Sequence, residues 1–129
     1  MATAVPAAER PPTDRQLDVM RAVAAHQRRR GAPPTIRWVQ EWFGIASPNG
    51  VMCNYLPLVR RGLMEAAGEG ATAARYRLTD AGWRALGLIP PGELEALLLA
   101  YRSGQDAERL DGEVDRHLAA CRGLPDVGE

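Results

Sequence analysis

Apolar residues recur at intervals of three and four positions along most of the chain, which is the spacing of helices with one buried face. This pattern predicts helices over residues 14–30, 35–43, 49–61, 80–86, 93–102 and 106–122. Residues 63–66 and 76–78 instead have the short apolar pattern of two strands, separated by a loop of small residues. The sequence therefore predicts a mainly α protein with a small β-hairpin.

A tight turn joins the two central predicted helices. Thr35 and Ser47 are suitable N-caps for these helices, and Gly44 suits the end of the first because it tolerates positive φ. A helix, a short turn and a second helix make a helix-turn-helix, whose second helix enters the major groove of DNA. With the hairpin as a wing, the predicted fold is a winged helix-turn-helix plus C-terminal helices. Helix pairs of this kind also occur in all-α proteins that do not bind DNA, so the turn alone leaves both interpretations open.

The charges divide the chain into a basic part and an acidic part, although the formal net charge is zero. Residues 10–84 contain twelve arginines and six acidic residues, whereas residues 85–129 contain four arginines and nine acidic residues. A basic body with an acidic tail is typical of a nucleic-acid-binding domain followed by an interaction segment, and a chance division is the alternative.

Three regions follow from this organisation. Residues 1–12 are rich in Ala and Pro and lack the basic and apolar regions of a signal peptide, so we expect a disordered arm. Residues 13–88 are predicted to form the winged helix-turn-helix DNA-binding domain, and residues 89–129 a C-terminal helical segment. The two amphipathic helices of this segment cannot bury both apolar stripes alone, so we expect a homodimer or another protein partner, with packing onto the winged helix as the alternative. No apolar run approaches the ~20 residues of a membrane span, and we expect a cytoplasmic protein without membrane contact.

Few residues suit a metal site, a cofactor or catalysis. The two cysteines and two histidines are far apart and belong to no cluster, so we expect neither a metal site nor a disulfide. These residues are Cys53, Cys121, His26 and His117. The glycines at 68 and 70 lack the helix and the lysine of a phosphate-binding loop, and no Ser/His or Cys/His spacing supports a nucleophile. We therefore expect no cofactor and no enzymatic activity.

Several motifs occur in an order and spacing that resemble one DNA-binding family: TDRQ at 13–16, GAPPT at 31–35, FG at 43–44, SPN at 47–49, RRG at 60–62 and E at 65. Over residues 13–78 the chain resembles the N-terminal DNA-binding domain of LexA-type repressors. The resemblance implies a winged helix that reads the major groove of double-stranded DNA as a dimer. It also implies that the following residues occupy the groove-facing N-terminal positions of the recognition helix: Ser47, Asn49, Gly50, Cys53 and Asn54.

Further candidates for contacts to DNA surround these positions. The resemblance places Thr35 and Arg37 at the start of the preceding helix, where contacts to phosphate are expected. Arg75 and Arg77 alternate onto one face of the second strand, and a wing of this kind meets the sugar-phosphate backbone or the minor groove. The candidate set is completed by the two cations that close the recognition helix, Arg60 and Arg61.

The sequence also departs from the family pattern. LexA-type proteins carry a C-terminal self-cleaving peptidase domain with a Ser/Lys pair, whereas this chain has no lysine and ends at residue 129, so we expect neither that activity nor cleavage triggered by DNA damage. Met52 and Cys53 replace acidic residues of the family, and Gly50 replaces its alanine, which predicts a different target sequence. Pro57 lies inside the recognition helix and is expected to kink it or cut it short.

The favoured hypothesis is a sequence-specific DNA-binding transcriptional regulator of LexA-like repressor type that reads the major groove with the helix over residues 49–61. The alternative is a winged helix that binds a protein and does not read DNA directly, because this helix carries little charge. Exposed Arg37, Arg60 and Arg75 around the recognition helix would favour DNA. Exposed Met52 and Leu56 would favour a protein partner.

Overall fold

The computed structural model describes residues 11–67, 75–104 and 107–128. Over these residues the chain forms six helices and one antiparallel hairpin, which confirms the predicted fold class. Most of the predicted arm, residues 1–10, and the tip of the predicted hairpin, residues 68–74, lie outside the described residues. The elements in chain order are α1 (Asp14–Arg30), α2 (Ile36–Phe43), α3 (Pro48–Arg60), β1 (Met64–Ala66), β2 (Tyr76–Leu78), α4 (Asp80–Ala85), α5 (Pro91–Arg102) and α6 (Ala107–Arg122).

Residues close in sequence set the helix ends. Thr13 Oγ1 accepts the Gln16 N–H at 3.2 Å while Gln16 Oε1 accepts the Thr13 N–H at 3.0 Å, so a capping box begins α1. Thr35 and Ser47 cap α2 and α3 through their side-chain oxygens. Gly44 ends α2 in the left-handed region with φ of +66°. The predicted helix boundaries are therefore confirmed to within two residues.

The core lies where α1, α2, α3, the hairpin and α4 meet. Its fully buried apolar side chains are Val19, Met20, Val23, Ala24, Val39, Val51, Tyr55, Leu58, Met64, Leu78, Trp83 and Leu88. This cluster includes buried side chains of α1 and of both helices of the helix-turn-helix, α2 and α3. It fixes the orientation of α3 and so decides which of its residues face solvent.

α3 continues through Pro57 to Arg60, so the expected shortening of the helix was wrong, whereas the expected kink stays a prediction. Proline removes one backbone N–H, but the turn that follows has other anchors. Leu58 is fully buried, and the Arg61 N–H donates to the Pro57 carbonyl at 3.2 Å. The Arg61 side chain adds a second bond, because Nη1 donates to the same carbonyl at 3.4 Å. Burial and these two bonds keep the last turn helical.

The hairpin is joined firmly to the end of α3 and the start of α4. β1 and β2 are antiparallel, with Met64 opposite Leu78. Thr79 caps α4 by accepting the Gly82 N–H at 3.1 Å, and its hydroxyl donates to the Gly62 carbonyl at 2.6 Å. One threonine thus connects α4 to the turn that follows α3.

The last helix packs onto the winged helix in cis. Leu110 and His117 are buried, and Cys121 and Leu124 pack against the core cluster. The Ile89 N–H donates to His117 Nδ1 at 3.0 Å, which attaches α6 to the segment between α4 and α5. α6 and the residues after it lie beside the C-terminal half of α1, and seven residues of α1 between Val19 and His26 are buried.

α5 differs from α6 because none of its side chains is fully buried. Leu98, Leu99 and Tyr101 are exposed on it, and Leu118 is exposed on α6. Packing in cis therefore describes α6, while self-association of the C-terminal segment stays a prediction. No helix in the described ranges is both long enough and apolar enough to cross a membrane.

Both histidines are buried, and each makes a hydrogen bond through Nδ1. His117 Nδ1 accepts the Ile89 N–H, so the imidazole proton is on Nε2. His26 Nδ1 lies 2.8 Å from the Ala32 carbonyl oxygen and donates to it. Burial lowers the pKa of both histidines from the ordinary value of 6.5, and the positive charge of Arg28 lowers the pKa of His117 further.

The free energy of unfolding is expected to decrease as the pH falls below about 6.5. In the unfolded chain both histidines become protonated in this pH range. In the folded chain they are protonated only at lower pH, because their pKa values are lowered. NMR titration of the two Cε1–H signals measures this directly, with the urea-unfolded chain as the control. A folded-state pKa at or above 6.5 for either histidine would contradict the expectation.

Candidate nucleic-acid interface

α3 has one buried side and one exposed side. Val51, Tyr55 and Leu58 are fully buried. At 100° per residue the opposite side carries four exposed residues, which we call the exposed stripe of α3: Asn49, Cys53, Leu56 and Arg60. Three of these were predicted site residues, and Leu56 was not. The spacing of four, three and four residues from Asn49 is the signal by which the sequence indicates Leu56.

The N-terminus of α3 is held close to the turn. Ser47 is exposed, and its Oγ accepts the Gly50 N–H at 3.3 Å. A Cβ on Gly50 would lie 2.5 Å from Ile45 Cγ2, so the turn packs against this glycine without room for a side chain. Glycine, where the resemblance implies alanine, therefore allows Ile45 to pack this close to the helix. Gly50 offers backbone to a ligand rather than a side chain.

Asn54 lies beside the exposed stripe and not on it. Its side chain is half-buried, and its Nδ2 donates to the Gly50 carbonyl at 2.9 Å. An asparagine that bonds the carbonyl four residues earlier has one amide hydrogen engaged within its own helix. Asn49, in contrast, is exposed in the first turn. Among the candidate amides, Asn49 has the position better suited to a base edge.

Three of the predicted arginines extend from the surface. Arg37, at the start of α2, has a side chain 87% exposed, and its Nε lies 3.2 Å from Glu41 Oε1. Arg60 is exposed in the last turn of α3. Arg77 is exposed on β2, with its Nε 2.9 Å from Glu65 Oε1 across the hairpin. Exposed ion pairs of this kind are weak, so phosphate groups can compete for these cations.

The other two predicted arginines are half-buried and make contacts inside the fold. Arg61 Nη1 donates to Gln16 Oε1 at 3.1 Å, linking the end of α3 to the capping box of α1. Arg75 Nη1 donates to the Pro33 carbonyl at 2.8 Å, and the backbone of Arg75 bridges that of Thr35. Both side chains therefore attach one element of the motif to another. Their role in contacting DNA stays a prediction.

Exposed cations were expected to indicate DNA binding and exposed apolar side chains to indicate a protein partner, and the structure shows some of each. Arg37 and Arg60 are exposed, which favours DNA, but Leu56 is exposed as well. Met52 packs against the core. Elsewhere in the described part of the chain, no group of three or more His, Cys, Asp or Glu side chains is placed to hold a metal ion.

Comparison with known proteins agrees with this arrangement. The family model described as the LexA DNA binding domain matches residues 9–73, half of the chain. A LexA repressor of Anaeromyxobacter dehalogenans is 44% identical over 52 residues, which are 40% of this chain and 23% of that protein. A LexA repressor of Leuconostoc citreum is 31% identical over 84 residues, which are 64% of this chain and 40% of that protein. The chain thus spans less than half the length of these curated relatives, and no solved structure matches it. The match over α1, α2, α3 and β1 confirms the resemblance, and the chain belongs to the LexA DNA-binding domain family.

Proposed function

We propose that the protein is a sequence-specific transcriptional repressor that binds double-stranded DNA and places the exposed stripe of α3 in the major groove. The observation that carries the proposal is this stripe, on the second helix of a helix-turn-helix that belongs to a DNA-binding family. In this motif the second helix lies in the groove with its N-terminal residues at the base edges. Asn49, exposed in the first turn, is the residue best suited to pair with adenine.

The charges around the stripe support DNA as the ligand. Arg37 at the start of α2 and Arg60 at the end of α3 are both exposed, and Arg77 adds a third cation on the hairpin. Cations at the edges of a groove-binding helix contact phosphates and hold it in register. Affinity should therefore come mainly from the arginines, and specificity from the few side chains on the stripe.

We also propose that the protein binds DNA as a homodimer. Dimeric helix-turn-helix proteins match their own two-fold symmetry to palindromic sites. Leu98 and Tyr101 support association, because both are exposed and lie three residues apart on one side of α5, and neighbouring exposed apolar side chains mark protein contacts. Sedimentation of the free protein and of its DNA complex would measure the stoichiometry. A single copy on each enriched site would contradict the dimer.

The test is fluorescence anisotropy of the full chain with a labelled pool of random duplexes over a salt series, followed by sequencing of the retained DNA. Sequence-specific DNA binding predicts steep loss of affinity with salt, with a slope of about −0.9 for each phosphate contacted, and an enriched sequence. A steep slope without enrichment would indicate a DNA-binding protein without sequence preference. Absence of binding at low salt would contradict the proposal.

A second candidate function is a winged helix that binds a protein. The observation that favours it is the 42% exposure of Leu56 in the middle of α3. Exposed apolar surface on a helix is a feature of sites that bind a protein partner. The same experiment separates the two, because a protein-binding winged helix without DNA function retains no duplex even at low salt.

A further inference from the structure

The middle of the exposed stripe of α3 carries no charge and no amide. Between Asn49 and Arg60 its exposed side chains are Cys53 and Leu56, a thiol and an isobutyl group. Leu56 is 42% exposed although an isolated protein gains nothing from exposing it. The neighbouring candidate Asn54 does not fill this gap, because its amide nitrogen bonds the Gly50 carbonyl.

The chemistry of the major groove identifies a partner for such a surface. Thymine is the base that presents an apolar group there, its C5-methyl, whereas guanine presents two acceptors and cytosine an amino donor. Leucine against a methyl group removes apolar area from water on both sides. Leucine against a guanine or cytosine edge removes water from polar groups without replacing their hydrogen bonds, which costs free energy.

Spacing along α3 fits a reading of adjacent base pairs. Cys53 and Leu56 lie three residues apart on one side of the helix, which is about 4.5 Å along the axis. That distance is close to the rise of about 3.4 Å per base pair in DNA. Asn49 lies one turn before Cys53, at the N-terminal end of α3, which in this motif lies at the base edges.

We propose that Leu56, with Cys53 beside it, reads thymine C5-methyl groups, so that the target site carries A·T pairs opposite the middle of α3. This inference rests on the proposed function. DNA is favoured over a protein as the occupant because the apolar segment is followed on the same side of α3 by an exposed cation, Arg60, and because α2, which packs against α3, carries a second exposed cation, Arg37. An apolar segment with exposed cations on its own helix and on the packed helix matches a groove that displays methyl groups and is bordered by phosphate chains.

The test replaces thymine by deoxyuridine, which pairs identically and lacks the methyl group. Each thymine of the enriched duplex is replaced in turn, and binding of the full chain is measured by anisotropy. At one or two positions, affinity is expected to fall about fourfold, which is the transfer free energy of one buried methyl group expressed as a ratio. Cytosine at such a position is expected to bind weakly, and 5-methylcytosine is expected to restore part of the affinity.

The variant Leu56→Ala tests whether Leu56 is the residue that contacts the thymine methyl group. This variant is expected to bind thymine and deoxyuridine duplexes equally at the position that Leu56 contacts. Leu118→Ala is the matched control, since Leu118 is 45% exposed on α6 and belongs neither to the exposed stripe of α3 nor to the α5 side chains proposed for the dimer, and it should retain the methyl dependence. Leu56→Met keeps an apolar side chain of similar volume and should also retain it, which guards against a general loss of binding in the alanine variant.

The outcomes distinguish this inference from the proposed function. Steep salt-dependent binding with an enriched site but equal affinity for every deoxyuridine duplex overturns the reading of methyl groups and leaves the repressor proposal intact. Retained DNA without an enriched sequence also overturns it, since a reader of methyl groups has to favour some sequences. Absence of binding to any duplex at low salt overturns both.

Discussion

Alanine at position 82 is expected to destabilise the protein by about 3 kcal/mol, among the larger effects of a single added methyl group. A Cβ on Gly82 would lie 2.1 Å from the carbonyl oxygen of Leu63 and 3.3 Å from Leu78 Cβ. The nearest obstacle is backbone and not the end of a flexible side chain. Either α4 or the chain entering β1 therefore has to move.

Neither element moves without losing other interactions. The Leu63 carbonyl also accepts the Thr79 N–H at 3.0 Å, and the Thr79 hydroxyl bonds the Gly62 carbonyl. Trp83, next to the substituted residue, is only 2% exposed and would be drawn from the core if α4 withdrew. The cost is therefore the sum of a steric overlap and the bonds or burial given up to relieve it.

Denaturant unfolding followed by far-UV circular dichroism measures the change. Gly112→Ala is the matched control, because Gly112 lies inside α6 and an added Cβ meets nothing within 4 Å. That variant is expected to be more stable by about 0.5–1 kcal/mol, since alanine is the better helix former. Equal midpoints for Gly82→Ala and the parent would contradict the close approach of α4 to Leu63.

The features that the sequence predicted correctly depend on neighbours along the chain. Thr35 and Ser47 cap helices through hydrogen bonds to residues three positions later, so the pattern alone locates them. The family was also predictable, since its motifs are ordered along residues 13–78 and the family model covers residues 9–73. Local chemistry and motif order were sufficient for both.

The features that the sequence did not predict depend on distant contacts. Arg75 and Arg61 carry the charge that suits a phosphate ligand. In the structure their side chains donate hydrogen bonds to Pro33 and Gln16, which lie 42 and 45 residues away in sequence. The cis packing of α6 likewise depends on a bond between His117 and Ile89, 28 residues apart. A sequence pattern shows whether a side chain is charged or apolar. Which helix or strand it contacts depends on the tertiary fold.

Arg60→Glu is expected to weaken binding to every duplex about 10- to 100-fold at low salt, or about 1.4–2.8 kcal/mol. Arg60 is exposed in the last turn of α3, at one end of the exposed stripe. In the proposed complex this turn lies near a phosphate chain, so the change removes a favourable charge and adds a repulsive one. Because the loss is electrostatic and independent of sequence, the ranking of preferred sites should be unchanged.

Measuring the affinity of Arg60→Glu over a salt series tests whether the loss of binding is electrostatic. The slope of log K against log salt should become shallower by about one, and the affinities of variant and parent should converge as salt rises. Arg102→Glu is the matched control, since Arg102 is an exposed arginine in the last turn of α5 and its substitution changes the net charge and the helix end in the same way. A general effect of protein charge would weaken both variants alike, whereas contact through α3 weakens Arg60→Glu alone. Equal slopes for Arg60→Glu and the parent would remove this end of α3 from the interface, and the major-groove orientation proposed for the helix would have to be abandoned with it.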